Sequence, residues 1–248
     1  MIDIHTHILP GLDDGSGSWE DSLAMARISV DSGVSGLVAT PHSGLPDRDP
    51  ERHLELVNRR LAQFRTRLQE EKIPLAIYGG MEIFGTPDTP LWLRRGLLIT
   101  LNHSRYVLIE FPFRDYGRQS TGILEAVRAL SLVPVVAHPE RYRYVQEDPR
   151  LLNLWTDMGC LLQVNRGSLL GRFGETEQAL SMGMLERGFV FTVASDTHSP
   201  RMRTPRMQDI QRLLREICGE EAAHRMLDTR PRRLLNNEVV SIPEPEWF

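Results

Sequence analysis

The sequence predicts an α/β fold: a closed or nearly closed, TIM-like barrel of seven parallel strands, each followed by a helical segment. Three observations predict it. Short apolar runs recur at intervals of roughly 25 to 40 residues, the length of a strand–helix unit. Helical patterns fill the intervals without a linker. Polar residues suited to holding metal collect at the strand ends, where a parallel barrel builds its site. An open doubly wound sheet is the alternative arrangement. Residues 1–248 read as one domain, with an irregular tail from about residue 239 that ends in SIPEPEWF.

The elements follow in order. The first strand spans residues 2–5. Ser18 and Asp21 look like an N-cap pair, and Gly33 reads as the stop of the helix they open. The second strand is 36–40. Next come Leu54, Val57, Leu61, Phe64 and Leu68, an apolar stripe at helical spacing that reads as core packing. The third strand is 75–79. Residues 86–105 fit a unit poorly and read as an excursion or a short hairpin. Strands follow at 106–110, 133–137, 161–164 and 190–194. A second helical stripe runs through Ile210, Leu213, Leu214 and Ile217.

Composition excludes several classes. Hydrophobic content of 41% and charged content of 25% are ordinary for a soluble globular protein. A net charge of −4 gives no basic excess that would advertise nucleic acid or an anionic membrane. Lys72 is the sole lysine, so a phosphate-binding Gly-Lys-Ser/Thr loop and Schiff-base chemistry are ruled out. Cys160 and Cys218 cannot make a disulfide framework. No run approaches the roughly 20 apolar residues of a membrane span, and no signal segment opens the chain. A cytoplasmic protein without direct membrane insertion is expected.

The strand ends carry the chemistry. His5 and His7 end the first strand, His42 the second, and Glu82 follows the third. Glu110 ends the fourth, His138 the fifth, and Asp196 and His198 the seventh. Residues two apart on a strand face the same side, so each His-x-His or Asp-x-His pair can grip one ion or two neighbours. A lone histidine is usually a satisfied core or surface residue. Histidines and carboxylates in phase at successive strand ends point to a metal site instead. Asp14 lies in the loop after the first strand, where DDG alone would read as a turn, and Asp13 beside it is an equal candidate. Asp3 would support a ligand or cap the sheet edge. His103 precedes its strand, and His53 and His224 fall in helical segments and read as solvated. Imidazoles and carboxylates without well-placed thiolates suit zinc, manganese, iron or cobalt. The set is large enough for two ions, or three if a carboxylate bridges.

These motifs resemble the polymerase and histidinol phosphatase (PHP) superfamily, and more closely its bacterial manganese-dependent tyrosine phosphatases of the capsule and exopolysaccharide type. The matching stretches are DIHTHILPGLDDG, TPH, GMEI, LIEFP, AHPERY and ASDTH, in the family's order over residues 3–198. The resemblance implies a distorted seven-stranded (β/α) barrel of PHP type. It also implies three divalent ions, manganese before iron, zinc or cobalt. The implied ligands are His5, His7, Asp14, His42, Glu82, Glu110, His138, Asp196 and His198, with Glu82 as the bridge. The implied phosphate-binding arginines are Arg141 and Arg203, with Arg201 close enough to compete for the second role. The implied substrate is a phosphotyrosine protein, the tyrosine-rich tail of a bacterial kinase of polysaccharide export.

The chemistry expected is phosphomonoester hydrolysis, in which two ions share a water, lower its pKa, and the hydroxide attacks phosphorus in line. The stretch CLLQVNR, Cys160 to Arg166, has the C-x5-R spacing of cysteine-dependent phosphatases. Its intervening residues read as a buried strand rather than a phosphate-cradling turn. An amidohydrolase bridged by a carboxylated lysine fails on the position of Lys72. The alternatives are another PHP phosphoesterase, acting on small molecules or as a nuclease, and a non-catalytic metal-binding regulator.

Overall fold

The computed structural model describes residues 1–114, 116–240 and 244–248. The seven expected strands are present, and an eighth of two residues joins them. Strands β1 (Ile2–Thr6), β2 (Gly36–Ala39) and β3 (Ala76–Gly79) form one parallel sheet in that order. Strands β4 (Ile83–Phe84), β5 (Tyr106–Glu110), β6 (Val133–Ala137), β7 (Leu161–Asn165) and β8 (Val190–Ala194) form a second. All pairings are parallel. The added strand β4 sets Ile83 against Ile109 and Phe84 against Glu110. Two residues carry too little pattern to be read from sequence.

The two sheets meet along two seams. Among the described residues no continuous ladder crosses either one. Isolated parallel bridges do: His42 with Glu82 at one seam, Thr6 with Thr197 at the other. Each seam has its own backbone hydrogen bonds. Glu82 N–H donates to Pro41 O and Ser43 N–H to Glu82 O; His7 N–H donates to Thr197 O and Asp196 N–H to His5 O.

Helices cover the sheets. Helix α1 (Trp19–Asp31) begins where Ser18 Oγ accepts from Asp21 N–H at 3.1 Å, and Gly33 follows it at φ +83°. Helix α2 (Pro50–Glu70) is capped by the Asp49 side chain and buries Val57, Leu61, Phe64 and Leu68. Leu54 is only partly buried; His53 takes the inward position instead. Residues 86–105 form no hairpin. They hold the short helix α3 (Thr89–Arg94) and a 3-10 turn at Leu101–His103. Helices α4 (Gly117–Arg128), α5 (Arg143–Glu147), α6 (Arg150–Asp157), α7 (Arg166–Leu169) and α8 (Glu175–Glu186) fill the next intervals. Helices α9 (Gln208–Cys218), α10 (Glu220–His224) and α11 (Arg230–Leu235) close the chain. In α9, Ile210 and Leu214 are buried, but Ile217 in the last turn is exposed, so the stripe is narrower than predicted. Residues 241–243 of the expected tail lie outside the described residues. The rest is irregular, and Phe248 stacks on Phe189 with centroids 5.2 Å apart.

Strands β1, β2, β7 and β8 are buried at every residue, as parallel strands covered on both faces must be. One core lies between sheets and helices. A second joins Ile2, Ile4, Val38, Tyr106, Leu108 and Val135 to Leu101 and Leu234. Each such side chain contributes about 1.5–3 kcal/mol on burial. Because the strands run in one direction, their C-terminal ends open on one face. No helix among the described residues is long and apolar enough to cross a membrane.

Candidate metal centre

That face gathers all nine residues read as ligands. Their donor atoms form four overlapping groups, each within 4.8 Å: His7, Asp14, His42 and His198; His5, His7 and Asp196; His5, Glu82 and His138; His42, Glu82 and Glu110. Glu82 is the hub. Its Oε1 lies 2.8 Å from His138 Nε2 and 3.1 Å from His5 Nε2, and its Oε2 lies 3.2 Å from His7 Nε2 and 3.1 Å from His42 Nδ1. Asp14 is exposed, with Oδ1 3.4 Å from His42 Nε2 and 3.3 Å from His198 Nε2.

Asp13 and Asp14 divide the work of the DDG turn. Asp13 points inward, where its Oδ2 accepts from His7 Nδ1 at 2.8 Å and from His42 N–H at 3.0 Å. It therefore orients the His7 ring and holds the His42 backbone, while Asp14 lines the cleft. Gly15 completes the turn because a Cβ there would fall 2.3 Å from the His7 carbonyl oxygen. Asp3, fully buried, accepts from His5 N–H at 3.3 Å and Ser195 N–H at 3.1 Å, so it ties β1 to the end of β8.

The electrostatics fit cations. Burial disfavours charge on Glu82, yet His5, then His138 and His7, hold its carboxyl well below the usual range. Asp196 behaves alike beside His5, His7 and Arg203. Burial would lower His42, but Glu110 and Glu82 hold it at about 9. Burial and the neighbouring His7 push His198 down to about 4. Protons thus take up part of the positive charge that four carboxylates demand. The His42 Nδ1 atom lies 2.8 Å from Glu110 Oε1 but makes no hydrogen bond, and His138 Nδ1 is likewise unpartnered. Five imidazoles and four carboxylates aimed at shared points suit divalent ions. His138 (φ 35°) and Asp196 (φ 49°) hold left-handed backbones, a strain of about 1–3 kcal/mol each that the surroundings must offset.

The cleft encloses about 200 Å³ and is also lined by Phe113, Arg141 and Arg203. Arg203 pairs with Asp196 Oδ2, and Arg141 Nη1 lies 3.5 Å from the same atom. Arg201 is exposed and does not line the cleft. Arg203, at φ 47°, is the arginine turned inward.

Residues 1–236 match the family described as capsular polysaccharide synthesis, CpsB/CapC. The chain belongs to the CpsB/CapC family. This CpsB/CapC chain is 36% identical over 250 residues to tyrosine-protein phosphatase YwqE of Bacillus subtilis, covering 99% of this chain and 96% of the relative. It is 33% identical over 247 residues to tyrosine-protein phosphatase CpsB of Streptococcus pneumoniae, covering 97% and 100%. A solved structure reported among those of YwqE and CpsB, described as unique metal-dependent tyrosine phosphatases, superposes with a TM-score of 0.93 at 35% identity. It covers 100% of this chain and 99% of the other.

Sequence reasoning missed several residues of this CpsB/CapC site. Gln163 and Asn165 on β7 link two candidate ligands. His5 Nδ1 meets Gln163 Oε1 at 2.8 Å, Gln163 Nε2 donates to Asn165 Oδ1 at 2.9 Å, and Asn165 Nδ2 donates to Asp196 Oδ2 at 2.7 Å. The two amides sit two apart at a strand end, as His5 and His7 do, which was the available signal. His53 is not solvated: it is 4% exposed, and its Nε2 donates to His42 O at 2.8 Å. His103 and His224 are exposed and lie outside the cluster. Arg166 of the C-x5-R stretch pairs with Asp209 and Thr204 O, and burial pushes the Cys160 thiol up to about 12. Neither is available to phosphate.

Proposed function

We propose that this CpsB/CapC protein is a metal-dependent protein-tyrosine phosphatase of capsule or exopolysaccharide synthesis. The observation that carries the reading is the meeting of nine imidazole and carboxylate residues, Glu82 among them, with Arg141 and Arg203 at one cleft. The relatives YwqE and CpsB, named tyrosine-protein phosphatases, support it. His5, His7, Asp14, His42, Glu82, Glu110, His138, Asp196 and His198 would hold three divalent ions, manganese before iron, zinc or cobalt, with Glu82 bridging. Those ions would supply Lewis acidity and a lowered water pKa.

The chain's own residues do the rest. Arg141 and Arg203 share Asp196 Oδ2 and can turn from it to the phosphate oxygens, binding them and balancing charge in the transition state. Asp13 and Gln163 fix the ring orientations of His7 and His5. A phenolate is a good leaving group, so no strong general acid is required of the cleft. Three divalent ions would outweigh the four carboxylates and favour a dianionic substrate. The substrate we propose is a phosphotyrosine-bearing tyrosine kinase of polysaccharide export, met in the cytoplasm. Residues 1–248 would work as one domain, the two sheets together acting as a distorted barrel.

Hydrolysis of p-nitrophenyl phosphate and phosphotyrosine peptides, with manganese and with a chelator, tests the reading. Turnover should depend on the metal. A Glu82→Ala protein with full metal content and full activity would end the assignment.

A further inference from the structure

A second hollow of about 360 Å³ adjoins the cleft and shares Phe113 and Arg141 with it. Its walls are aromatic: Phe113 is 43% exposed, and the Arg141 guanidinium lies between Phe113 and Phe173, 4.6 Å from each ring centroid. Its rim is cationic, with Arg114 and Arg143 both exposed. Among the described residues, the one carboxylate lining it, Glu177, already accepts from Gln146 Nε2 at 3.2 Å. Arg143 meets Glu147 only in an exposed ion pair, which contributes little and is readily exchanged.

An acidic side chain would use the arginines and leave the rings idle. An aliphatic or unmodified aromatic side chain would use the rings and leave the arginines idle. A ring carrying a dianion uses both, by stacking on a phenylalanine and by forked hydrogen bonds to guanidinium groups. We propose that this hollow is a second aryl-phosphate subsite, which holds a neighbouring phosphotyrosine of the same substrate chain while the first is hydrolysed. The inference rests on the phosphatase reading and deepens it. The enzyme would favour multiply phosphorylated segments over isolated phosphotyrosines.

The test compares peptides with one hydrolysable phosphotyrosine and a second position one to four residues away on either side. That position carries a non-hydrolysable phosphonate analogue of phosphotyrosine, tyrosine or glutamate. At the best spacing, kcat/KM for the phosphonate peptide should exceed both others by about tenfold, the effect of one or two charge-assisted contacts. In an Arg114→Ala/Arg143→Ala protein the advantage should shrink to about twofold or less. Equal rates for the three peptides, or an advantage that survives in the double variant, would overturn the subsite. Absence of turnover on every peptide with manganese would strike the phosphatase reading itself. Fluorescence anisotropy of the phosphonate peptide on chelated protein then decides the hollow separately. Affinity about tenfold weaker in the double variant supports it, and unchanged affinity rejects it.

Discussion

His5 Nδ1 and Gln163 Oε1 lie 2.8 Å apart, both fully buried, from strands 158 residues apart in sequence. An amide oxygen only accepts, so Nδ1 holds a proton, and Nε2, beside Glu82 and Asp196, is the nitrogen that would face an ion. Asn165 extends the same chain to Asp196 itself. Two candidate ligands are therefore aligned by one pair of amides on a strand that supplies no ligand.

Gln163→Leu and Asn165→Leu should each weaken metal affinity by about 10- to 100-fold, the usual effect of losing a partner behind a ligand. Competition against a chromophoric chelator reads the affinity, and circular dichroism checks the fold. Unchanged affinity in a folded variant would reject the alignment role.

Arg141→Lys should lower kcat/KM for phosphotyrosine peptides by roughly ten- to a hundredfold, about 1.4–2.7 kcal/mol of transition-state binding. Lysine keeps the charge but loses the fork. Arg141→Ala should be worse, and metal content should be unchanged in both. Wild-type kinetics in both variants would move the phosphate contact elsewhere.

Cys160→Ser should keep most of its phosphatase activity, because the thiol is buried, protonated and packed away from the cleft. Complete loss in a folded, metal-loaded variant would revive a cysteine mechanism.

Arg166 is buried and Asp209 half-buried; their closest contacts include Nε to Oδ1 at 2.7 Å. Burial works against the Asp209 charge, but Arg166 pulls the carboxyl below its ordinary value. A lowered folded pKa means the stabilisation is complete above the unfolded value of about 3.9 and is lost as pH falls through the folded one. Asp209→Asn should cost about 1–2 kcal/mol at pH 7, less than for a fully enclosed pair because Asp209 is partly solvated. The gap should narrow in urea titrations near pH 3. A gap of equal size at both pH values would contradict the pairing.

The site was legible because its members share a topological position. His5, His42, Glu110, His138 and Asp196 each lie at or within three residues of the C-terminal end of a strand, and a parallel arrangement brings such ends together whatever their sequence separation. Gln163 and Asn165 were illegible because amides carry no metal signature; only His5 and Asp196 beside them give them meaning. His53 was misread by one position. It falls in phase with Val57, Leu61, Phe64 and Leu68, so the helix turns it inward in place of Leu54. The strand β4 was illegible because its pairing with β5 is a tertiary fact that two residues cannot announce, and the division into two sheets lies at seams that no local pattern marks.

The seams give that division a thermodynamic meaning. His42 and Glu82 bridge one seam, and Thr6 and Thr197 bridge the other from between His5, His7, Asp196 and His198. Ions held by these residues would rivet two sheets that few backbone hydrogen bonds join, so occupancy and cohesion become linked. Cations at a hundredfold excess over Kd would add about 2.7 kcal/mol to the folded state. Chelation should lower the melting temperature, and the amides of His7, Ser43, Glu82 and Asp196 should exchange their hydrogens before those at the centres of β6 and β7.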